Sequence, residues 1–398
     1  MAIRKYEYRL YPDKKQIRRL EEQIRIGTEV YNRLLTIYKE EYLEKGIKIR
    51  KYDLEYHVTS LRKENVAYGA MYRITLTSIA KRISRGLDYY FRQMSEWKEG
   101  KARKPGLPRY KKSLRSIEFA PLSVKIIDDK TVKIGRIGKI EAVVHRETEG
   151  EIKEVTVIRK PSGKWHIIFT CDIPDEIVER TAGGEIGIDM GVLSFATLSD
   201  GTKIENPRFL AKSEKRIRRL HKDLSRKVKG SNNWMRTKDL IASAYETVEN
   251  QRNDFLHKTS RALVDEYRLI AVESLGISRM IVGQRTAKSI SDVSWYKFRR
   301  MLEYKASSAG TQVIFDKPFS PTSKTCSACG NIIEMPLSER TFVCPSCGLT
   351  IDRDINAAIN ILNNCRAGSA RIDACGDGSS TSLIREKRVL SLNQELYV

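Results

Sequence analysis

The 398-residue sequence contains no apolar run approaching the ~18–20 residues that span a bilayer, which excludes a membrane-spanning helix. Its opening, Met-Ala-Ile-Arg-Lys-Tyr-Glu-Tyr, lacks the apolar core of a secretory signal, so a soluble intracellular chain is expected. Histidine is scarce, with five residues and none beside the acidic motifs described below, which disfavours a histidine-held catalytic metal. Cysteine is sparse as well. Of the seven, four fall in two pairs near the C-terminus, which in an intracellular chain points to a metal site rather than a disulfide framework. Cys171, Cys365 and Cys375 are left without a role. No internal repeat stands out.

Acidic residues are outnumbered 50 to 73 by lysine and arginine, a formal net charge of +23. Such an excess repels itself unless a polyanion neutralises it, so nucleic acid is the natural partner. A solvated basic surface or a ribosome-associated protein is the alternative. The basic stretches are spread along the chain rather than gathered beside one apolar anchor, which argues against a membrane surface. With 40% hydrophobic and 31% charged residues the chain is globular, and its length suggests two or three domains.

The pattern begins with a strand, Ile3 to Tyr11, and a helix from Asp13, its N-cap, to about Lys45, with Gly46 as the stop. Further helices are expected over Tyr52 to Leu61 and Ile74 to Trp97, the latter with Ile79, Ile83, Leu87 and Phe91 on one stripe. A basic, breaker-rich loop from Glu99 to Gly106 ends this block. Short strands follow between Phe119 and Asp172, which with the first strand suggest a small β-barrel or an independent sheet. After the Ala182-Gly183-Gly184 break come strands at Glu185–Asp189, Phe195–Leu198 and Lys203–Glu205. Two long helices, Ala211 to Val228 and Met235 to Tyr267, form a hairpin about Gly230 to Asn233. Strands at Leu269–Glu273 and Gln312–Phe315 and a poorly ordered tail from Gly368 complete the chain.

Cys326-Ser-Ala-Cys329 and Cys344-Pro-Ser-Cys347 are two C-x-x-C knuckles, each followed by a glycine, Gly330 and Gly348. Two such turns place four thiolates around one zinc ion. The set leaves no open coordination position, so the zinc is expected to be structural.

Three acids stand in distinctive surroundings. In Gly184-Glu-Ile-Gly-Ile-Asp189-Met-Gly191 an apolar strand carries a carboxylate, which is costly unless it meets a cation or hydrogen-bond donors. Gly187 and Gly191 leave room for a close approach. The same string suits the first phosphate loop of an actin-like sugar kinase, although Glu273-Ser-Leu-Gly-Ile is not the second loop such an enzyme needs. Glu273 ends another apolar strand, and Asp354 stands at a helix start in Asp352-Arg-Asp-Ile-Asn-Ala-Ala358, where a helix-capping role is the alternative. Together the three suit a ribonuclease-H-like nuclease, in which two magnesium ions about 4 Å apart activate water and steady the leaving oxygen.

These motifs, with Tyr6-Glu-Tyr-Arg-Leu-Tyr-Pro12, Leu107-Pro-Arg-Tyr-Lys111, Ser116-Ile-Glu-Phe119, Arg252-Asn-Asp-Phe-Leu-His-Lys258 and Ser320-Pro-Thr-Ser-Lys-Thr-Cys326, resemble the TnpB family of transposon-encoded proteins, relatives of type V CRISPR effectors. The resemblance covers nearly the whole chain. It implies an α+β multidomain fold: a wedge-type β-barrel over 1–12 and 116–181, an inserted helical recognition lobe over 13–115, and a RuvC (ribonuclease-H-like α/β) domain over 182–319 and 351–367. A zinc ribbon is inserted over 320–350, and a flexible tail covers 368–398.

It further implies an RNA-guided DNA endonuclease that cuts guide-matched DNA beside a short flanking motif. Asp189, Glu273 and Asp354 become the catalytic acids and the ligands of two magnesium ions (manganese is possible), and Cys326, Cys329, Cys344 and Cys347 hold one structural zinc. The implied partners are a guide RNA from the transposon end and double-stranded target DNA, with the protein monomeric in a cytoplasmic, nucleoid-associated ribonucleoprotein. The alternative is a guide-RNA-dependent DNA-binding regulator without cleavage. A protein that leaves sequence reading to base pairing needs a basic channel for an A-form heteroduplex. Arg103, Arg109, Lys111, Arg216, Arg219, Arg226 and Lys227 are the candidate backbone contacts. Tyr89, Tyr90 and Phe91 are candidates for base stacking, with core packing the expected fate of Phe91 in particular.

Overall fold

The structure, a computed structural model, describes residues 2–47, 51–101, 103–174, 180, 183–276, 292–317, 320–336 and 338–374. The chain forms two compact units. The first comprises residues 1–175 and 219–246, the second 176–218 and 247–398. Among the described residues no helix is long and apolar enough to cross a membrane.

The first unit is built on β1 (Ala2–Tyr11), whose Tyr6, Tyr8 and Leu10 turn inward while Lys5 and Glu7 turn out, the period-two alternation of a half-buried strand. β1 is the middle strand of a seven-stranded antiparallel sheet with β2 (Ser116–Phe119), β3 (Val124–Asp128), β4 (Thr131–Ile134), β5 (Gly138–Val143), β6 (Glu151–Arg159) and β7 (Trp165–Ile173). The order is β2-β6-β7-β1-β5-β4-β3. Among the described residues no ladder joins the edges β2 and β3, so the strands form an open sheet where a barrel was one expectation. Helices shelter its core instead. Leu20, Leu34 and Leu35 of α1 (Lys14–Lys39), Leu54 and Val58 of α2 (Lys51–Glu64) and Ile79 and Ile83 of α3 (Arg73–Lys98) share one hydrophobic cluster with Tyr6, Val132, Ile140 and Phe169.

Asp13 caps α1 as its position suggested: its side chain accepts from the Gln16 N–H while Gln16 Oε1 accepts from the Asp13 N–H. The stripe of α3 holds through Leu87, but Phe91, expected in the core, is 42% exposed and packs edge-on against Tyr42 and Tyr90. Helix α3 outruns the core one turn before Phe91, and helical periodicity alone does not register where the neighbours end.

The second unit contains a five-stranded sheet of order β10-β9-β8-β11-β12. β8 (Gly184–Met190), β9 (Ser194–Leu198) and β10 (Lys203–Glu205) are antiparallel neighbours, whereas β8, β11 (Tyr267–Val272) and β12 (Gln312–Phe315) run parallel. Helices α4 (Phe209–Ser225) and α5 (Asn232–Glu266) are divided between the units, and α6 (Trp295–Ala309), not anticipated from the sequence, enters the core with Trp295, Phe298 and Leu302. A two-stranded ribbon of β13 (Thr341–Val343) and β14 (Thr350–Asp352) leads directly into α7 (Arg353–Ala374). That helix continues past Gly368, where a loose tail was expected. Cys375, the Gly376–Ser380 stretch and the rest of the tail, like Ala182, lie outside the described residues.

Candidate active site and metal centre

The acidic site follows from strand parity. Ile186, Ile188 and Met190 of β8, with Ile270 and Val272 of β11, point to one face of the sheet and join the cluster that holds Phe298. Leu269 and Ala271 point to the other, where they meet Ile361, Leu362 and Cys365 of α7. Because successive side chains alternate, Asp189 and Glu273 belong to the α7 face, at the C-terminal ends of two adjacent parallel strands. Ile188 pairs with Val272, and the Glu273 N–H donates to the Ile188 carbonyl at 3.3 Å, which sets the two acids level. On β12 the same parity brings a third strand-end acid, Asp316. Its N–H donates to the Val272 carbonyl at 2.9 Å, and its carboxylate accepts from Asn364 Nδ2 at 3.1 Å.

Gly187 explains why α7 comes so close. A Cβ at that position would lie 2.0 Å from the Ala358 carbonyl oxygen and 2.9 Å from Leu362 Cβ. Helix backbone therefore lies directly on the strand, and the first turn of α7 delivers Asp354 to Asp189. The helix-capping role left open for Asp354 falls to Asp352. Asp352 Oδ1 accepts from the Asp354 N–H at 2.9 Å and the Ile355 N–H at 3.2 Å, and its other oxygen accepts from Lys203 Nζ at 2.6 Å.

Electrostatics set these acids apart. The Asp189 carboxyl is pushed well above the usual range, first by burial, then by the charges of Glu273 and Asp354. Burial first, and Asp316 besides, pushes up Glu273, to which Asp189 is hydrogen-bonded. Like charges crowded in a half-buried site are what a bound cation relieves. Two arginines stand beside them: Arg353 Nη2 lies 3.2 Å from Asp354 Oδ1, and Arg340 Nη1, from the ribbon, lies 3.5 Å from Asp354 Oδ2. Asp316, Arg340 and Arg353 were not among the residues expected from sequence. The Asp-Arg-Asp triplet drew attention to its acids, and nothing local marks Arg340.

The four cysteines meet as expected. Their sulfurs all lie within 4.8 Å of one another, with Cys326–Cys347 and Cys329–Cys344 each at 3.6 Å. Sulfurs about 2.3 Å from a central ion form a tetrahedron with edges of about 3.8 Å, so the spacing suits a metal ion. The knuckles are built alike. The N–H of Cys326 donates to Asn331 O and that of Cys344 to Leu349 O, both at 2.8 Å, while Gly330 and Gly348 donate to the first cysteine of their own knuckle at 2.9 Å. Both glycines take positive φ, 76° and 75°. Backbone N–H groups of Cys347 first, and of Ser346, draw the Cys344 thiol down to about 6, whereas Cys347, despite the Leu349 N–H, is pushed up to about 12 by the neighbouring sulfurs, Cys329 first.

Of the candidate nucleic-acid contacts, Arg103, Arg109, Arg216, Arg219 and Arg226 are exposed. Lys111 and Lys227 are half-buried. Lys111 Nζ sits 4.9 Å from the centre of the Tyr31 ring, and Lys227 is paired with Asp223 at 2.6 Å.

Sequence comparison places the chain in a family. Residues 169–282 match a family described as "Probable transposase", residues 295–361 a "Cas12f1-like, TNB domain", and residues 1–47 a "Helix-turn-helix domain", although that last stretch folds here as β1 followed by one long helix. The Escherichia coli K12 protein named "Putative RNA-guided DNA endonuclease InsQ" is 34% identical over 293 residues, 69% of this chain and 71% of its own length. The chain belongs to the TnpB family. A Streptomyces pristinaespiralis TnpB relative, named "Putative RNA-guided DNA endonuclease", is 35% identical over 225 residues, and the match spans 56% of this chain but only 54% of the relative. The fold is similar to that of Cas12f1 solved with single guide RNA and target DNA: TM-score 0.53 at 18% identity, covering 88% of this chain and 82% of that one.

Proposed function

We propose that the chain is an RNA-guided DNA endonuclease of a transposable element, cutting guide-complementary DNA beside a short flanking motif with a RuvC-type acid centre. The observation that carries the reading is the convergence of Asp189, Glu273 and Asp354 at one end of the five-stranded sheet, where burial first and neighbouring acidic charge next push up the carboxyls of Asp189 and Glu273. The strand order β10-β9-β8-β11-β12, with β8 parallel to β11 and β12, supports a ribonuclease-H-like core over 182–319 and 351–367, with the ribbon inserted over 320–350. The wedge-like part then comprises 1–12 and 116–181, and the recognition lobe 13–115.

Hard, half-buried carboxylate oxygens fit magnesium or manganese. When bound, such ions activate a water and stabilise the leaving oxygen of the phosphodiester. Asp189, Glu273 and Asp354 would hold them. Arg340 and Arg353 place guanidinium charge beside Asp354, suited to a DNA phosphate. The cysteines fit one structural zinc, which holds the knuckles and does no chemistry. The exposed arginines at 103, 109, 216, 219 and 226 are suited to the backbones of guide and target, in a cytoplasmic complex of one protein chain with its RNA.

Co-expression with the DNA downstream of the gene, sequencing of co-purified RNA, and cleavage of a matching duplex in magnesium test this reading. A specific bound RNA and metal-dependent cutting lost in Asp189→Ala are expected. Cutting by Asp189→Ala, or no specific RNA, would overturn it, and guided binding without cutting would favour the regulator.

A further inference from the structure

The two cysteine knuckles reach the first turn of α7 by different routes. The second, Cys344 to Cys347, continues along the chain through β14 into Arg353 and Asp354. The first reaches the same turn through side chains. Asn356, with 0% exposure, donates Nδ2 to the Thr325 carbonyl at 2.7 Å and accepts the Ser327 N–H on Oδ1 at 2.9 Å. One turn on, Asn360 donates to the Thr322 carbonyl at 2.8 Å and the Thr325 carbonyl at 2.6 Å. The sulfurs cross from knuckle to knuckle, Cys326 beside Cys347 and Cys329 beside Cys344.

These contacts close a ring: first knuckle, cysteine cluster, second knuckle, β14, the first turn of α7, Asn356, and back to the first knuckle. Asp354 lies on the ring between β14 and Asn356. A first helical turn has no intrahelical partners for its N–H groups; Asp352 takes two of them, and the ring ties the turn to both knuckles, so it contributes to how firmly Asp354 is aimed.

We propose that Asn356 is a positioning residue for Asp354, and that Asn356 and the metal in the cysteine cluster are two closures of this one ring. The role of Asp354 rests on the nuclease reading above; the ring itself does not. Two closures of one ring do not act independently. Opening either loosens the first turn that carries the acid, Asn360 holding only the turn beyond it, and opening the second then changes little.

The test compares Asn356→Ala, Cys329→Ser and the double variant as assembled ribonucleoproteins. Each single variant is expected to lower the single-turnover cleavage rate about 10–100-fold and to raise the magnesium concentration for half-maximal rate, with DNA affinity unchanged. Asn356→Ala keeps one zinc per chain. The double variant is expected within about twofold of the slower single. Losses that multiply, or wild-type cleavage by Asn356→Ala, overturn the proposal. If Asn356→Ala does not assemble, Asn356→Asp, which keeps the acceptor for the Ser327 N–H, carries the same comparison. If the wild-type complex does not cut at all, the nuclease reading falls, and amide exchange over residues 353–358 decides the ring. Equal loss of protection in Asn356→Ala and in chelator-treated protein supports it, and undiminished protection in either overturns it.

Discussion

Glu7 and Asp189 occupy matching places, each a carboxylate on the middle strand of its sheet. Their surroundings are opposite. Glu7 meets His166 Nδ1 at 2.8 Å and Lys160 Nζ at 3.0 Å. Burial alone would raise its carboxyl, yet the His166 hydrogen bond and the Lys160 charge hold it down to about 2. Asp189 meets Glu273 and Asp354, and the nearby Arg353 charge does not offset burial and repulsion. The chain completes the first carboxylate from its own side chains and leaves the second in excess negative charge. Carboxylates crowded without compensation mark where a ligand belongs.

Asp189→Asn separates the two cases most sharply. Cleavage is expected to fall about a thousandfold or more, while in magnesium-free buffer the variant melts above wild type, by about 1 kcal/mol of stability, because burial and repulsion no longer penalise a charge at this position. A lower melting temperature would put Asp189 in the same class as Glu7. Gly187→Ala tests the packing that brings the third acid in. Its Cβ would meet a helix carbonyl at 2.0 Å, so α7 has to lift from β8, at about 3 kcal/mol or more. Urea unfolding and cleavage should fall together, and near-wild-type stability would contradict the direct contact of helix and strand.

Sequence carried these two kinds of site unequally, for a physical reason. The knuckles were legible to the residue because ligands, turn glycines and backbone bonds all lie between Cys326 and Leu349. The acids were legible as three motifs, but their meeting depends on the parallel pairing of β8 with β11 and on Gly187 admitting α7, neither of which is local. Asp316 follows a four-residue strand with no motif around it, and Arg340 reaches Asp354 only because β13 pairs with β14. That Asp352 rather than Asp354 caps the helix turns on two backbone N–H directions that composition does not encode. For α6 the signal was present: Trp295, Phe298, Met301 and Leu302 recur at helical spacing, and all are buried.

The smallest expected effect completes the comparison. A carboxyl whose pKa is lower folded than unfolded contributes stability that is fully present above its unfolded value, near 4.5, and is lost as pH falls toward about 2. Glu7→Gln should therefore melt below wild type at pH 6, and the two curves should converge as pH drops from about 4.5 to about 2. Glu7 is 42% exposed, so solvent screening keeps the difference modest. Glu246, whose Oε1 lies 3.9 Å from His166 Nε2, supplies the control: Glu246→Gln leaves Glu7 its direct partners and should preserve most of the pH dependence. A Glu7→Gln difference independent of pH would mean that shape rather than charge holds this corner of the sheet, and the contrast with Asp189 would then no longer be electrostatic.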